Sequence, residues 1–238
     1  MRGMRSVATR GDLIERRIQE QWTERRGRRL DVLIAGCGWP DPLHLEMESR
    51  VVGIDEDHPA ARASVESRGD LTSWALGDLR AVPVPPRSFD VVYAPFLLER
   101  LEHPELVLDR LVAGLRLNGL LLLRVRDRDS AYGTCARLTP WPLRRLLWHR
   151  IAGEDAPEPL PKVYGPAISR AGIHAYCLTR GLVVTDEFLG TSGPAADRPL
   201  VRAACTVIEA VSRGRIPASH DEITMIIRKP EDYFTRLL

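Results

Sequence analysis

The chain is poor in cysteine, lysine and aromatics and has no long apolar run, and these shortages exclude several classes of protein. Its four cysteines, Cys37, Cys135, Cys177 and Cys205, form no Cys-x-x-Cys pair and no cluster with ligand spacing. Neither a disulfide framework nor a zinc site is expected, and a reducing, cytoplasmic location fits best. No stretch approaches the roughly 18 apolar residues of a membrane span, so no membrane association is expected. The opening MRGMRSVATRG is basic without an apolar stretch, and reads as a disordered leader rather than a secretory signal. Lysine stands only at 162 and 229, so arginine carries nearly all the positive charge. A GC-rich genome would produce that bias, and it implies no mechanism.

A net charge of +2 is too small to make the whole chain attract polyanions. Locally the balance is uneven. Residues 1–29 carry nine Arg against four acids, and 124–150 carry seven Arg against two Asp. These stretches could face an anionic substrate or nucleic acid, or be no more than solvated surface. What the chain does contain is ordinary globular material: 238 residues, 44% of them hydrophobic, suffice for one large domain or two small ones.

Residues 12–29 place Leu13, Ile14, Ile18 and Trp22 at near-helical spacing among charges, which predicts an amphipathic helix laid on the main domain. Strand-like and helical segments then alternate. Strands are expected at 31–36, 50–55, 73–78, 89–94 and 120–126, and helices at 42–49, 58–67 and 104–117, the last closed by Asn118-Gly119. Continuous apolar strands in such alternation imply a mostly parallel sheet covered on both faces. Residues 127–165 change texture, with aromatics, arginines and prolines, as in a functional insertion. Beyond them a helix over 167–181, a strand over 182–190, a helix over 199–212 and an antiparallel closing strand over 222–230 complete the pattern. The expected fold is α/β, a Rossmann-like doubly wound mixed sheet in a single domain over 1–238. Its parts are a helical extension (1–29), a cofactor-binding core (31–126), a lid-like insertion (127–165) and C-terminal helices and strands (166–238).

Two glycines, Gly36 and Gly38, follow the first buried strand in VLIAGCGWP. Glycine there lets the backbone approach a ligand in the crevice at the strand ends, although a plain strand-to-helix turn would use the same residues. Asp55 ends the next strand 19 residues on, where a carboxylate can accept bonds from both hydroxyls of a ribose. A nicotinamide fingerprint would need a third glycine where Asp41 stands, and a carboxylate beside two phosphates is repulsive.

VLIAGCG, VVGIDED and the run from ALGDLRAVPVPPRSFDVVYA through PFLLERLEHPELVLDRLVAGLRLNGLLLLRV resemble the class I S-adenosylmethionine-dependent methyltransferases, over about residues 31–126. The small-molecule branch is the nearer likeness. RDRDSAYG, RLTPWPL and YGPAISRAGI resemble an actinobacterial subgroup. The resemblance implies that Ala35, Gly36, Cys37 and Gly38 line the methionine and ribose portion of the cofactor. It also implies that Asp55 and Glu56 hold the ribose, and that Gly77, Asp78 and Leu79 hold the adenine. Tyr93, Ala94, Pro95 and Phe96 would floor the reaction centre. Three positions depart from the family pattern: Ile34 replaces an acid, Pro40 a glycine, and Arg100 a histidine. Tyr93-Ala94-Pro95-Phe96 also lacks the side-chain oxygen and second proline of the motif used by nucleobase amino-methyltransferases.

The implied activity is methyl transfer to a small molecule, at a hydroxyl of a secondary metabolite or glycan precursor. S-adenosyl-L-methionine is the expected cofactor, S-adenosyl-L-homocysteine the product, and no metal is expected. The alternatives are a tRNA or rRNA methyltransferase using the Arg-rich stretch, and a non-catalytic binding or assembly subunit. Nucleic acid is not the expected partner, and a homodimer could form through the 199–212 helix. A hydroxyl acceptor needs a base near pH 7, for which His103, Glu99 and Tyr132 are candidates. Arg100, Tyr132 and Tyr164 are candidate substrate contacts. His103-Pro104 also reads as a plain helix start, and Trp141 and Trp148, seven apart, as a packed helix face.

Overall fold

The computed structural model describes residues 10–38, 43–140, 165–192, 196 and 198–231. In chain order they form α1 (Arg10–Glu24), β1 (Leu30–Ala35), β2 (Ser49–Asp55), α2 (Pro59–Ser67), β3 (Ser73–Leu76), β4 (Phe89–Pro95) and α3 (Pro104–Gly114). Then follow β5 (Leu115–Arg126), α4 (Ala131–Leu138), α5 (Arg170–Thr179), β6 (Val183–Gly190), α6 (Pro199–Val211) and β7 (Glu222–Arg228). The strands make one sheet in the order β3-β2-β1-β4-β5-β7-β6. The first five are parallel, and β7 runs antiparallel between β5 and β6. This is the doubly wound mixed sheet that the alternation predicts. The strand order reverses at β1 and β4, which opens a crevice above their carboxyl ends.

Strand periodicity sends alternate residues to the two faces. Val32, Ile34, Val91 and Leu122 meet Ile14 and Ile18 of α1 and Val65 of α2 on one face. Leu33, Val92 and Leu121 meet Leu108 and Leu111 of α3 and Ile173 and Cys177 of α5 on the other. Both registers of β1 and β4 are buried, which is why their sequence reads as uninterrupted apolar runs. At α2, His58 is the N-cap, its Nδ1 accepting from Ala60 N–H, and Pro59 supplies a preset first turn.

Two expectations are corrected. The helix expected at 42–49 is absent over the described residues 43–48. Leu43, Leu45 and Met47 turn inward while His44, Glu46 and Glu48 face solvent, a period of two that belongs to extended chain. The helix expected to reach Leu117 stops at Gly114, because Leu115 is fully buried and pairs with Phe89 of β4. Asn118, at φ +59°, is therefore a bend inside β5 rather than a helix cap, and its N–H donates to Lys229 O at 2.8 Å. The start of the insertion is ordered as α4, capped by Ser130, whose Oγ accepts from Gly133 N–H. Residues 141–164 of the lid-like insertion, with Trp141, Trp148 and Tyr164, lie outside the described residues, as do residues 1–9 of the leader, Trp39, Pro40 and Asp41; the last two residues read as leader, Arg10 and Gly11, already belong to α1.

Candidate functional site

Both glycines of the β1 turn are required by close approach. Gly36 has φ +92° and donates its N–H to Ile54 O at 2.8 Å. A Cβ on Gly38 would lie 2.6 Å from Ala61 Cβ and 3.0 Å from Asp55 Oδ2, so α2 packs on the bare backbone. Asp55, at the end of β2, is turned inward. Its side chain is 1% exposed, and accepts from Gly38 N–H (2.8 Å), Glu56 N–H (2.8 Å) and Arg100 Nη2 (3.1 Å). Through these three bonds the carboxylate stitches the glycine turn to β2 and to the turn after β4.

Beside this buried pair lies a cleft of about 490 Å³, bordered by Glu56, Gly77, Asp78, Arg80, Arg100 and His103 among others. Strand ends place these groups together: Glu56 follows β2, Gly77-Asp78 follow β3, and Arg100 and His103 follow β4. Asp78 is exposed and gripped by Arg80 through Nε and Nη2, both at 2.9 Å, which holds its carboxyl below the ordinary range. Burial raises the Glu56 carboxyl, against the opposing pull of Arg100. His103 begins α3 at the cleft rim, its Nδ1 3.6 Å from Glu105 Oε1.

The other expected site residues lie elsewhere. Glu99 is buried and its Oε2 accepts from Arg126 N–H at 2.7 Å, so it closes the end of β5 instead of facing the cleft. Cys37, Leu79 and Ala94 are core residues; burial, reinforced by the Asp55 charge, pushes the Cys37 thiol up to about 12. Ala35 and Pro95 are likewise buried within their strands. Tyr93 points to the α1 face, its hydroxyl 3.4 Å from Arg124 Nη1. Phe96 follows β4 in the left-handed region (φ +50°), with the Arg124 and Arg126 guanidinium groups each 4.8 Å from its ring centroid. A bulky residue at positive φ signals a locally enforced backbone.

Tyr132 lies on a second cavity of about 280 Å³, with Arg202, Cys205, His220 and Asp221. There His220 Nε2 sits 3.0 Å from Asp127 Oδ2. Sequence reading missed both residues because they are 93 positions apart and only the pairing of β7 with β5 joins them. It also missed Arg80, although Asp78-Leu79-Arg80 carries a local signal, a cation two residues after the acid. Among the described residues no group of three or more His, Cys, Asp and Glu side chains could hold a metal ion.

Residues 33–123 match the family model described as a methyltransferase domain. The matched segment, 91 of the 238 residues, runs from β1 into β5. Solved structures agree on the fold. At 15% identity and TM-score 0.50, an S-adenosylmethionine dependent methyltransferase from Mesorhizobium loti matches 84% of this chain and 90% of its own. A chain from the complex of the Haloferax volcanii Trm112 methyltransferase activator matches at 17% identity and TM-score 0.53, covering 96% and 99% of the two chains. The [4+2]-cyclase SpnF matches at 16% identity and TM-score 0.53, covering 91% and 80%. No curated protein matches the sequence. Identities this low establish the architecture alone, and the cyclase shows that the architecture does not dictate the reaction. No described helix is long and apolar enough to cross a membrane.

Proposed function

We propose that this methyltransferase moves the methyl group of S-adenosyl-L-methionine to a hydroxyl on a small molecule, such as a secondary metabolite or glycan precursor. The convergence of Glu56, Gly77-Asp78 and Arg100 on one cleft at the carboxyl ends of β2, β3 and β4 carries this reading. Its volume lies within the range of small-molecule sites, roughly 300–1,000 Å³. Glu56, whose carboxylate borders the cleft while Asp55 is spent on internal donors, is the group to accept the ribose hydroxyl bonds. Asp78, held in place by Arg80, is the acceptor for the adenine edge. When bound, the cofactor supplies an electrophilic methyl group. The protein's task is then alignment, which can contribute roughly 7–11 kcal/mol. His103 at the cleft rim is the candidate to take the hydroxyl proton.

The nucleic-acid alternative loses part of its support. Arg124 is 14% exposed and paired with Glu222 at 2.9 Å, and Arg126 is 8% exposed and paired with Asp221 at 2.6 Å. These two arginines neutralise internal carboxylates and do not present a phosphate-binding surface. Calorimetry tests the proposal. S-adenosylmethionine and S-adenosylhomocysteine should both bind, and Glu56→Ala should weaken the latter by about 1.5–3 kcal/mol, the scale of a charged hydrogen bond. Failure of both ligands to bind at millimolar concentration rejects the reading. Salt-sensitive RNA binding would favour the alternative.

A further inference from the structure

Arg100 is buried without enough partners. Its side chain is 6% exposed, and among the described residues one of its five N–H donors is used, by Asp55 at 3.1 Å. Nε is cut off from solvent and has no hydrogen-bond partner among the described residues. Asp55 is meanwhile satisfied from two other directions by the Gly38 and Glu56 N–H groups. A guanidinium left this short of acceptors is costly to bury, because its unmet donors lose water without replacement. The same guanidinium borders the cleft and lies 3.5 Å from where a Cβ on Gly36 would sit. It is therefore placed at the glycine-turn end, apart from the Asp78 and Arg80 pair that follows β3.

We propose that Arg100 is the anchor for a carboxylate on a ligand held in this cleft. The planar guanidinium matches a carboxylate in shape and presents paired donors, which an ammonium would not. The neighbouring carboxylates Glu56 and Glu102 suit a ligand that carries a cationic or hydroxylated group beside its carboxylate. Two sources have this chemistry: the amino-acid end of the adenosyl cofactor, or an acidic group on the acceptor. The assignment rests on the adenosyl-binding reading above, so the test contains a ligand that reports on that reading alone.

Wild type, Arg100→Gln and Arg100→Lys are titrated calorimetrically with S-adenosylhomocysteine and with 5′-methylthioadenosine, which keeps the nucleoside but lacks the amino-acid carboxylate. Each protein saturated with S-adenosylhomocysteine is then titrated with benzoate and, as the neutral control, benzamide. Wild-type binding of 5′-methylthioadenosine establishes the nucleoside site, and its retention in the variants shows that they are folded. If the carboxylate is the cofactor's, Arg100→Gln weakens S-adenosylhomocysteine roughly 10- to 100-fold, with 5′-methylthioadenosine unchanged. Arg100→Lys recovers part of the loss. If it is the acceptor's, S-adenosylhomocysteine is unaffected, and benzoate binds loaded wild type but not loaded Arg100→Gln. Unchanged binding of every ligand, a parallel loss of both nucleosides, or tighter S-adenosylhomocysteine binding overturns the proposal and leaves Arg100 as the counter-ion of Asp55. A wild type that binds neither nucleoside overturns the underlying reading, and this proposal with it.

Discussion

Replacing Asp55 should destabilise the fold strongly, whatever its effect on ligands. Asp55→Ala removes a buried carboxylate and strands three donors: Gly38 N–H, Glu56 N–H and the Arg100 guanidinium. Breaking a buried ion pair by deleting one partner costs about 3–5 kcal/mol, since the surviving charge stays in a poorly solvated site. With a urea slope of about 3 kcal/mol/M, that cost lowers the unfolding midpoint by about 1–1.7 M. Asp55→Asn retains an acceptor for the two backbone donors and should lose less. The double variant Asp55→Ala/Arg100→Met should regain part of the loss, because replacing both charges removes the stranded one. Equilibrium urea melts of the four proteins, followed by far-UV circular dichroism, measure these shifts. An Asp55→Ala midpoint within about 0.3 M of wild type, equivalent to about 1 kcal/mol, would refute the reasoning. If that variant also lost S-adenosylhomocysteine affinity, Asp55 would be a ligand contact after all.

Three further outcomes are expected. Gly38→Ala should destabilise by about 1–3 kcal/mol in the same urea melts, since the new methyl meets Ala61 at 2.6 Å and α2 has to move. Burial works to raise the Glu222 carboxyl, but the Arg124 hydrogen bond and charge, the Ser192 hydrogen bond and the Arg126 charge together outweigh it, and the folded value lies below the ordinary 4.5. Its contribution is therefore present above about pH 4.5 and lost as pH falls through the lower folded value. Thermal melts between pH 3 and 7 should show a steeper acid loss in wild type than in Glu222→Gln. Finally, Cys37 is buried with its thiol pushed up to about 12, whereas Cys135 is partly exposed. Iodoacetamide at pH 8 should modify Cys135 first and Cys37 only after urea is added, as read by peptide mass spectrometry. Early modification of Cys37 would contradict its burial.

How much of the site was legible from the sequence can be judged residue by residue. Gly36, Gly38 and the acids Asp55, Glu56 and Asp78 stand out because strand ends and turns use short, position-specific chemistry that a one-dimensional reading detects. Which of the adjacent pair Asp55 and Glu56 faces the cleft is not encoded locally. It depends on α2 packing against Gly38 and on Arg100 arriving from the turn after β4, 45 residues away from Asp55. Glu99 and His103 read as equivalent candidates, yet one closes β5 from inside and the other opens on the cleft.

The sequence alone determined the alternating strands and helices, their mostly parallel pairing and the crevice end at which the proposed site lies. Those features follow from hydrophobic periodicity and chain connectivity, which act over a few residues. The extended course of 43–48, the reversal of Asp55 toward the interior, the enclosure of Phe96 by two arginines and the meeting of His220 with Asp127 were decided by tertiary structure. Each depends on groups far apart in the chain, where the desolvation of a charge or the space beside a glycine is set by neighbours that only folding supplies.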